Sequence, residues 1–114
     1  MRGVSARDNR KGAALQSEKD RKRLEAEQRQ KMYRILLPVR TEIEKAEREI
    51  ARMESRRLEI QTAMASPDAY KLGDEAKRLS HEDKELQADL QRAYDAWNKL
   101  TEQLEDLQRQ AGGA

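Results

Sequence analysis

MASPDAYKLGDEA, residues 64–76, brings Pro67 and Gly73 close together in the middle of a highly charged chain. On both sides of it, apolar residues recur at coiled-coil spacing. The stretch is therefore a defect in one long rod, a hinge, or the tip of a hairpin, and which of these holds decides the fold.

N-terminal to it, Met32, Leu36, Val39, Ile43, Ala46, Ile50, Met53, Ile60 and Met64 are separated by alternating fours and threes, with Arg57 alone interrupting. This is a heptad series with Leu36, Ile43, Ile50, Arg57 and Met64 at a, and Met32, Val39, Ala46, Met53 and Ile60 at d. C-terminal to it, a second series runs Leu72, Ala76, Leu79, Asp83, Leu86, Leu90, Ala93, Trp97, Leu100, Leu104 and Leu107, with Asp83 as its one polar member. If the first register continued through residues 64–76, the a positions beyond would be Lys71, Arg78, Glu85, Arg92 and Lys99. A core of that kind has nothing to bury. The phase slips by two residues, which is neither of the usual coiled-coil discontinuities, and it slips where Pro67 and Gly73 stand.

The chain is therefore expected to reverse here. Ser66 suits an N-cap, Pro67 the first helical position and Asp68 the positive helix end. Gly73 can end the short helical piece in a left-handed conformation, and Asp74 can cap the second long helix. The expected fold is all-α: an antiparallel two-helix coiled-coil hairpin with a first arm at 38–65, a short helical tip at 66–73 and a second arm at 74–109. Core spacing admits two registers one heptad apart. One sets Val39 opposite Trp97; the other sets Ala46 opposite Trp97 and is preferred because it evens the layer volumes. Arg57 and Asp83 are near one another in either, and an ion pair between them would fix the register.

Pro38 lies inside the first series. It removes a helix hydrogen bond and biases Leu37 away from helical geometry, so a break or kink is expected there, with an additional N-terminal helix at about residues 18–36. Residues 1–17 have no apolar period and are expected as a disordered or linker segment, and residues 111–114 as a disordered tail.

Composition narrows the function. Of 114 residues, 40% are charged and 36% hydrophobic, with no Phe and one Trp, too little apolar material for a globular core around a pocket. Cysteine is absent, which removes thiol chemistry and Cys-type metal sites and accords with the cytoplasm. The apolar run ILLPV is too short to span a bilayer, so no membrane partner is expected. His81 with its neighbouring carboxylates is the pattern of a solvated helix rather than a metal or catalytic site, and no cofactor is expected. Charge is uneven: residues 1–34 hold eleven Lys or Arg against five Asp or Glu, and residues 35–114 thirteen against seventeen.

RRLEIQTAMASPDAY, the earlier LLPVRTEIEKAEREI and the later LQRAYDAWNKLTEQLE resemble, in order and spacing, the C-terminal coiled-coil domain of ABC-F family ATPases, the Uup type among them. The likeness covers about residues 20–108 and rests on Pro-x-Arg at 38–40, Pro-Asp-x-Tyr at 67–70 and Ala-x-x-x-Trp at 93–97. It implies a non-catalytic arm of an ATP-binding protein that acts on ribosomes or DNA, with the ATP-binding cassettes of the parent protein as partners. The chain itself has no phosphate-binding Gly-rich loop and no Leu-Ser-Gly-Gly signature, so it is expected not to be an enzyme and to be the terminal domain in isolation.

A nucleic-acid partner, DNA or ribosomal RNA, would be met by cations. The c and f positions of the first arm, which point away from the seam, carry Lys31, Arg34, Lys45, Arg48 and Arg52, and the cluster Lys19, Arg21, Lys22 and Arg23 adds to the basic end. Such stripes can track phosphates. The same stripe is also the pattern of an ordinary solvated face, diluted by glutamates at b, e and g. The alternative function is a structural coiled coil that mediates homodimerisation or protein docking. Tyr94, one place round the helix from the core, is the expected exposed aromatic, and Tyr70 either caps the last core layer or meets a partner.

Overall fold

A computed structural model describes residues 6–112. Helix α1 runs Ala6–Ala65, a single 3-10 turn covers Ala69–Leu72, and helix α2 runs Asp74–Gly112. The protein is all-α, and α1 and α2 form a helical hairpin. The chain divides into two compact units, residues 1–36 and 37–114. The hairpin is the second.

The antiparallel sense follows from the contacts between the helices. Arg56 meets Glu82 and Arg57 meets Asp83 near the tip, while Glu54, farther from it, meets Tyr94. Positions receding from the tip on one helix thus pair with positions receding on the other.

Ile50, Met53 and Ile60 of α1 and Leu86 and Leu90 of α2 form the buried core of the hairpin, with Leu79, Ala93 and Trp97 packed against it. Val39 and Ile43 continue the buried stripe along α1. The entire second heptad series, from Leu72 to Leu107, is buried or half-buried. The three-four spacing has this effect because it keeps one narrow face of each helix turned to the other. The indole N–H of Trp97 has no acceptor among the described residues, and its ring packs against the core.

One core position departs from the heptad expectation. Met64 is 39% exposed, and Ala63 beside it is half-buried instead. Helix α1 ends at Ala65, so Met64 lies in its last turn, where no further layer follows to hold it inward.

The two ion pairs each span 26 residues and centre on residues 69 and 70, while the Glu54–Tyr94 contact centres on residue 74. The register with Val39 opposite Trp97 would centre the hairpin on Asp68, and that with Ala46 opposite Trp97 beyond Lys71. The three contacts fall on both sides of the second centre and all beyond the first, which fits Ala46 opposite Trp97.

The tip is tighter than a helical piece over 66–73. The Asp68 N–H donates to Ser66 Oγ at 3.2 Å, the Ala69 N–H to the Ser66 carbonyl at 3.0 Å and the Lys71 N–H to the Asp68 carbonyl at 2.9 Å. Ser66 thus closes a local turn instead of capping a helix: the regular part is only Ala69–Leu72, with Asp68 at its N-cap and no side-chain cap. Gly73 has φ 57° and ψ −125°, a conformation that a side chain resists. Its carbonyl accepts the Ala76 N–H at 3.1 Å, so Gly73 rather than Asp74 stands at the N-cap position of α2, which begins at Asp74. Asp74 and Glu75 sit in the first turn, where their charge complements the helix dipole.

Helix α1 continues through Pro38 without the expected break. Pro38 stands at an outward c position and is exposed. Water can therefore take the hydrogen bond that the ring removes, and the penalty of roughly 3 kcal/mol for an interior proline falls on the solvated face, not on a core layer. Residues 6–17, expected as linker, are also helical. Ala, Arg, Lys, Leu and Gln make up most of that stretch, and lengthening an existing helix needs no new nucleus. Residues 1–5 and 113–114 of the expected terminal segments lie outside the described residues.

Candidate nucleic-acid interface

All nine cations singled out by the sequence, Lys19, Arg21, Lys22, Arg23, Lys31, Arg34, Lys45, Arg48 and Arg52, are solvent-exposed. They divide between the two units. Lys19 to Arg34 belong to the first, and Lys45, Arg48 and Arg52 to the second, where their spacing of three and four sets them on one outward face of α1.

Exposure does not make them equal. Arg21 and Lys22 both lie 3.9 Å from Glu18, and Arg23 lies 2.9 Å from Asp20. In the hairpin, Lys45 is 3.9 Å from Glu42, and Arg52 is tied to Glu49. The Glu49 carboxyl is held below its ordinary pKa, chiefly by its hydrogen bond from Arg52, and the Arg52 guanidinium is raised for the same reason. Lys19, Lys31, Arg34 and Arg48 have no carboxylate at ion-pair distance among the described residues. Their charge is not locally neutralised. A phosphate oxygen meets these four at the lowest cost, because no existing pair has to be opened.

Interhelical charges do a different job. Arg56 Nη2 lies 2.8 Å from Glu82 Oε2, and Arg57 Nε 2.9 Å from Asp83 Oδ1. Hydrogen bonds to Glu82 and then Glu59 raise the Arg56 guanidinium, and one to Asp83 raises that of Arg57. The Arg57–Asp83 pair expected from the sequence is therefore present, with side chains 26% and 24% exposed. Arg56–Glu82 was not anticipated. Its signal is the g position: each residue immediately precedes a core a residue, where flanking charges face each other across a coiled coil. On the other flank, the Tyr94 hydroxyl donates to the Glu54 carboxylate, which raises the Tyr94 pKa. Tyr94 is exposed as expected, but its hydroxyl is committed to the opposite helix. Tyr70 is 78% exposed, with the Lys71 ammonium 5.8 Å from its ring centroid, so it does not cap the core.

His81 Nε2 lies 2.9 Å from Glu85 on the solvated face of α2. Among the described residues, no group of His, Cys, Asp and Glu is placed to hold a metal ion. No described helix is long and apolar enough to cross a membrane.

A family model, the ABC transporter C-terminal domain, matches residues 39–102, more than half of the chain and nearly the whole hairpin. The chain belongs to that family. The match begins one residue after Pro38 and takes in the tip and the Ala93–Trp97 spacing, as the resemblance to the ABC-F C-terminal domain implied. An ABC transporter C-terminal domain is a helical accessory domain and not a catalytic cassette, and membership implies linkage to the cassettes of a parent protein. Lys45, Arg48 and Arg52 lie within the matched segment, and Lys19 to Arg34 precede it. No curated protein and no solved structure shows significant similarity to the chain.

Proposed function

We propose that this domain is a non-catalytic arm of a cytoplasmic ABC-F ATPase that binds nucleic acid, DNA or ribosomal RNA, through the exposed cations of α1. The observation that carries the reading is the set of four exposed cations, Lys19, Lys31, Arg34 and Arg48, that lack a local carboxylate partner. Lys or Arg displayed in this way along a helix meets phosphates without base-specific contacts, so binding is expected to be salt-dependent and tolerant of sequence. ATP hydrolysis belongs to the parent's cassettes.

The test is fluorescence anisotropy with labelled duplex DNA and a labelled RNA stem-loop over a range of salt. Affinity in the range of about 10⁻⁴–10⁻⁶ M is expected, falling with salt at a log–log slope of about −0.9 per phosphate contacted on DNA. Replacing Lys19, Lys31, Arg34 and Arg48 together by Glu abolishes it, whereas the same number of reversals at the paired Arg21, Lys22, Arg23 and Arg52 has the smaller effect. Binding that ignores salt, or no binding at low salt beside a concentration-dependent mass in sedimentation, overturns the reading in favour of a structural coiled coil.

A further inference from the structure

Tyr33 is 58% exposed on α1. It lies in an open surface depression lined also by Ala26, Arg29, Gln30 and Arg34. Its hydroxyl has no hydrogen-bond partner among the described residues, and neither Arg29 nor Arg34 has an ion-pair partner among them. From Gln28 to Leu36 the sequence QRQKMYRIL contains Arg29, Lys31 and Arg34 and no carboxylate.

Helical spacing sets Arg29 and Gln30, four and three residues before Tyr33, on the same face as its ring. Arg34 is about 100° farther round the helix and lines the same depression from its other side. The result is a flat aromatic surface edged by two guanidinium groups and one amide, on a backbone already ordered as helix. Aromatic rings with adjacent cations of this kind take nucleotides: the ring stacks on a base, which needs no particular base identity, and the cations meet the phosphates on either side. A protein partner is a poorer fit. An aromatic anchor in a protein interface is sealed by surrounding near-apolar contacts, whereas Ala26 is the one apolar neighbour in this depression.

We propose that Tyr33, Arg29 and Arg34 form a subsite for an unpaired nucleotide, with the base stacked on the Tyr33 ring and its flanking phosphates on the two arginines. The proposal rests on the nucleic-acid reading given above and adds a ligand class to it, a single-stranded or unpaired stretch. A fully paired duplex keeps its bases stacked on one another and offers the ring nothing.

The experiment uses the full chain with a single-stranded oligonucleotide carrying 2-aminopurine, beside the same sequence as a duplex. Wild-type protein changes the 2-aminopurine fluorescence on binding the single strand. Tyr33→Ala weakens single-strand binding by about 5- to 150-fold, the range for loss of one stacked base, and abolishes the fluorescence change, while duplex affinity stays as it was. Tyr33→Phe retains both, because the ring and not the hydroxyl carries the contact. Replacing Arg29 and Arg34 by Gln lowers the salt slope without removing the fluorescence change. The subsite is overturned if Tyr33→Ala binds the single strand as wild type does, if Tyr33→Phe is as weak as Tyr33→Ala, or if single strand and duplex weaken equally. Failure of the wild type to bind either nucleic acid overturns the underlying reading as well, and the duplex arm tells the two failures apart.

Discussion

One narrow apolar seam holds the hairpin together, and Ile60→Ala tests this directly. Ile60 is 2% exposed and belongs to the core cluster, whereas Leu58, two residues away on the same helix, is 64% exposed. Truncating Ile60 removes three buried carbon groups at about 0.8 kcal/mol each, plus a cavity contribution limited by the thinness of a two-helix seam. The better helix propensity of Ala returns about 0.4 kcal/mol. A net loss of about 2–3 kcal/mol follows. With a urea slope of about 1 kcal/mol/M for a small protein, the unfolding midpoint falls by about 2 M or more. Trp97 packs against the same cluster, so its fluorescence reports on the hairpin rather than on the helix as a whole. Leu58→Ala in the same assay shifts stability by no more than about 0.5 kcal/mol. If the two variants shift the midpoint equally, the seam is not where the stability resides and the assignment of the core is refuted.

Arg57→Leu and Asp83→Leu, each alone, leave a half-buried charge without its partner and lower the midpoint more than the double substitution does, so the cycle shows clear coupling; additivity counts against the pair. The Tyr94 pKa is raised by its bond to Glu54. Its stabilisation is thus fully present below the ordinary tyrosine range and is lost as pH rises through the raised value. A tyrosinate absorbance titration should show one late-titrating group that Tyr94→Phe removes. Gly73→Ala is strained at φ 57° although nothing stands within 4 Å, and costs about 1–3 kcal/mol by urea unfolding. Gly12→Ala, in the open interior of α1, instead raises helicity by circular dichroism, being favoured by about 0.5–1 kcal/mol.

Legibility in the sequence differed by feature. The apolar seam and the chain reversal were readable because burial in a two-helix hairpin follows spacing alone, and a slip of two residues has one structural meaning. Arg57 and Asp83 could be paired for the same reason. Proline's local effect on its helix is unfavourable, and by itself it predicts a break at Pro38. Whether the chain tolerates it depends on which face it occupies, and the outward c position was the relevant clue. Exposure of the nine cations was readable from their heptad positions. Their neutralisation was not: Arg52 is tied to Glu49, while Arg48, with Glu44 and Glu47 also near in sequence, pairs with neither among the described residues. Side-chain rotamers decide between such options, and spacing does not encode them. Tyr33 and Arg29 lie outside the c and f stripe that holds Lys31 and Arg34, so heptad position does not single them out.

The seam alone does not specify one structure, and the ion pairs resolve that ambiguity. A heptad series fits its partner equally well after a slip of seven residues, since every apolar residue again meets an apolar layer. Arg57 does not. Displaced by a heptad, it would lose Asp83 and face an apolar position, and Asp83 would be left half-buried without a cation, a state that no gain in packing offsets. Arg56 and Glu82, on the more exposed flank of the seam, add less, because Arg56 also holds Glu59 and would meet Glu75 or Asp89 after such a slip. The Arg57–Asp83 pair near the tip therefore selects the alignment, while Ile50, Met53, Ile60, Leu86 and Leu90 supply most of the stability. The division also explains why these arginines are poor candidates for binding a phosphate: their donors are already committed to carboxylates across the hairpin. Cations available to a partner have to come from faces that take no part in register, which is where Lys19, Lys31, Arg34 and Arg48 stand.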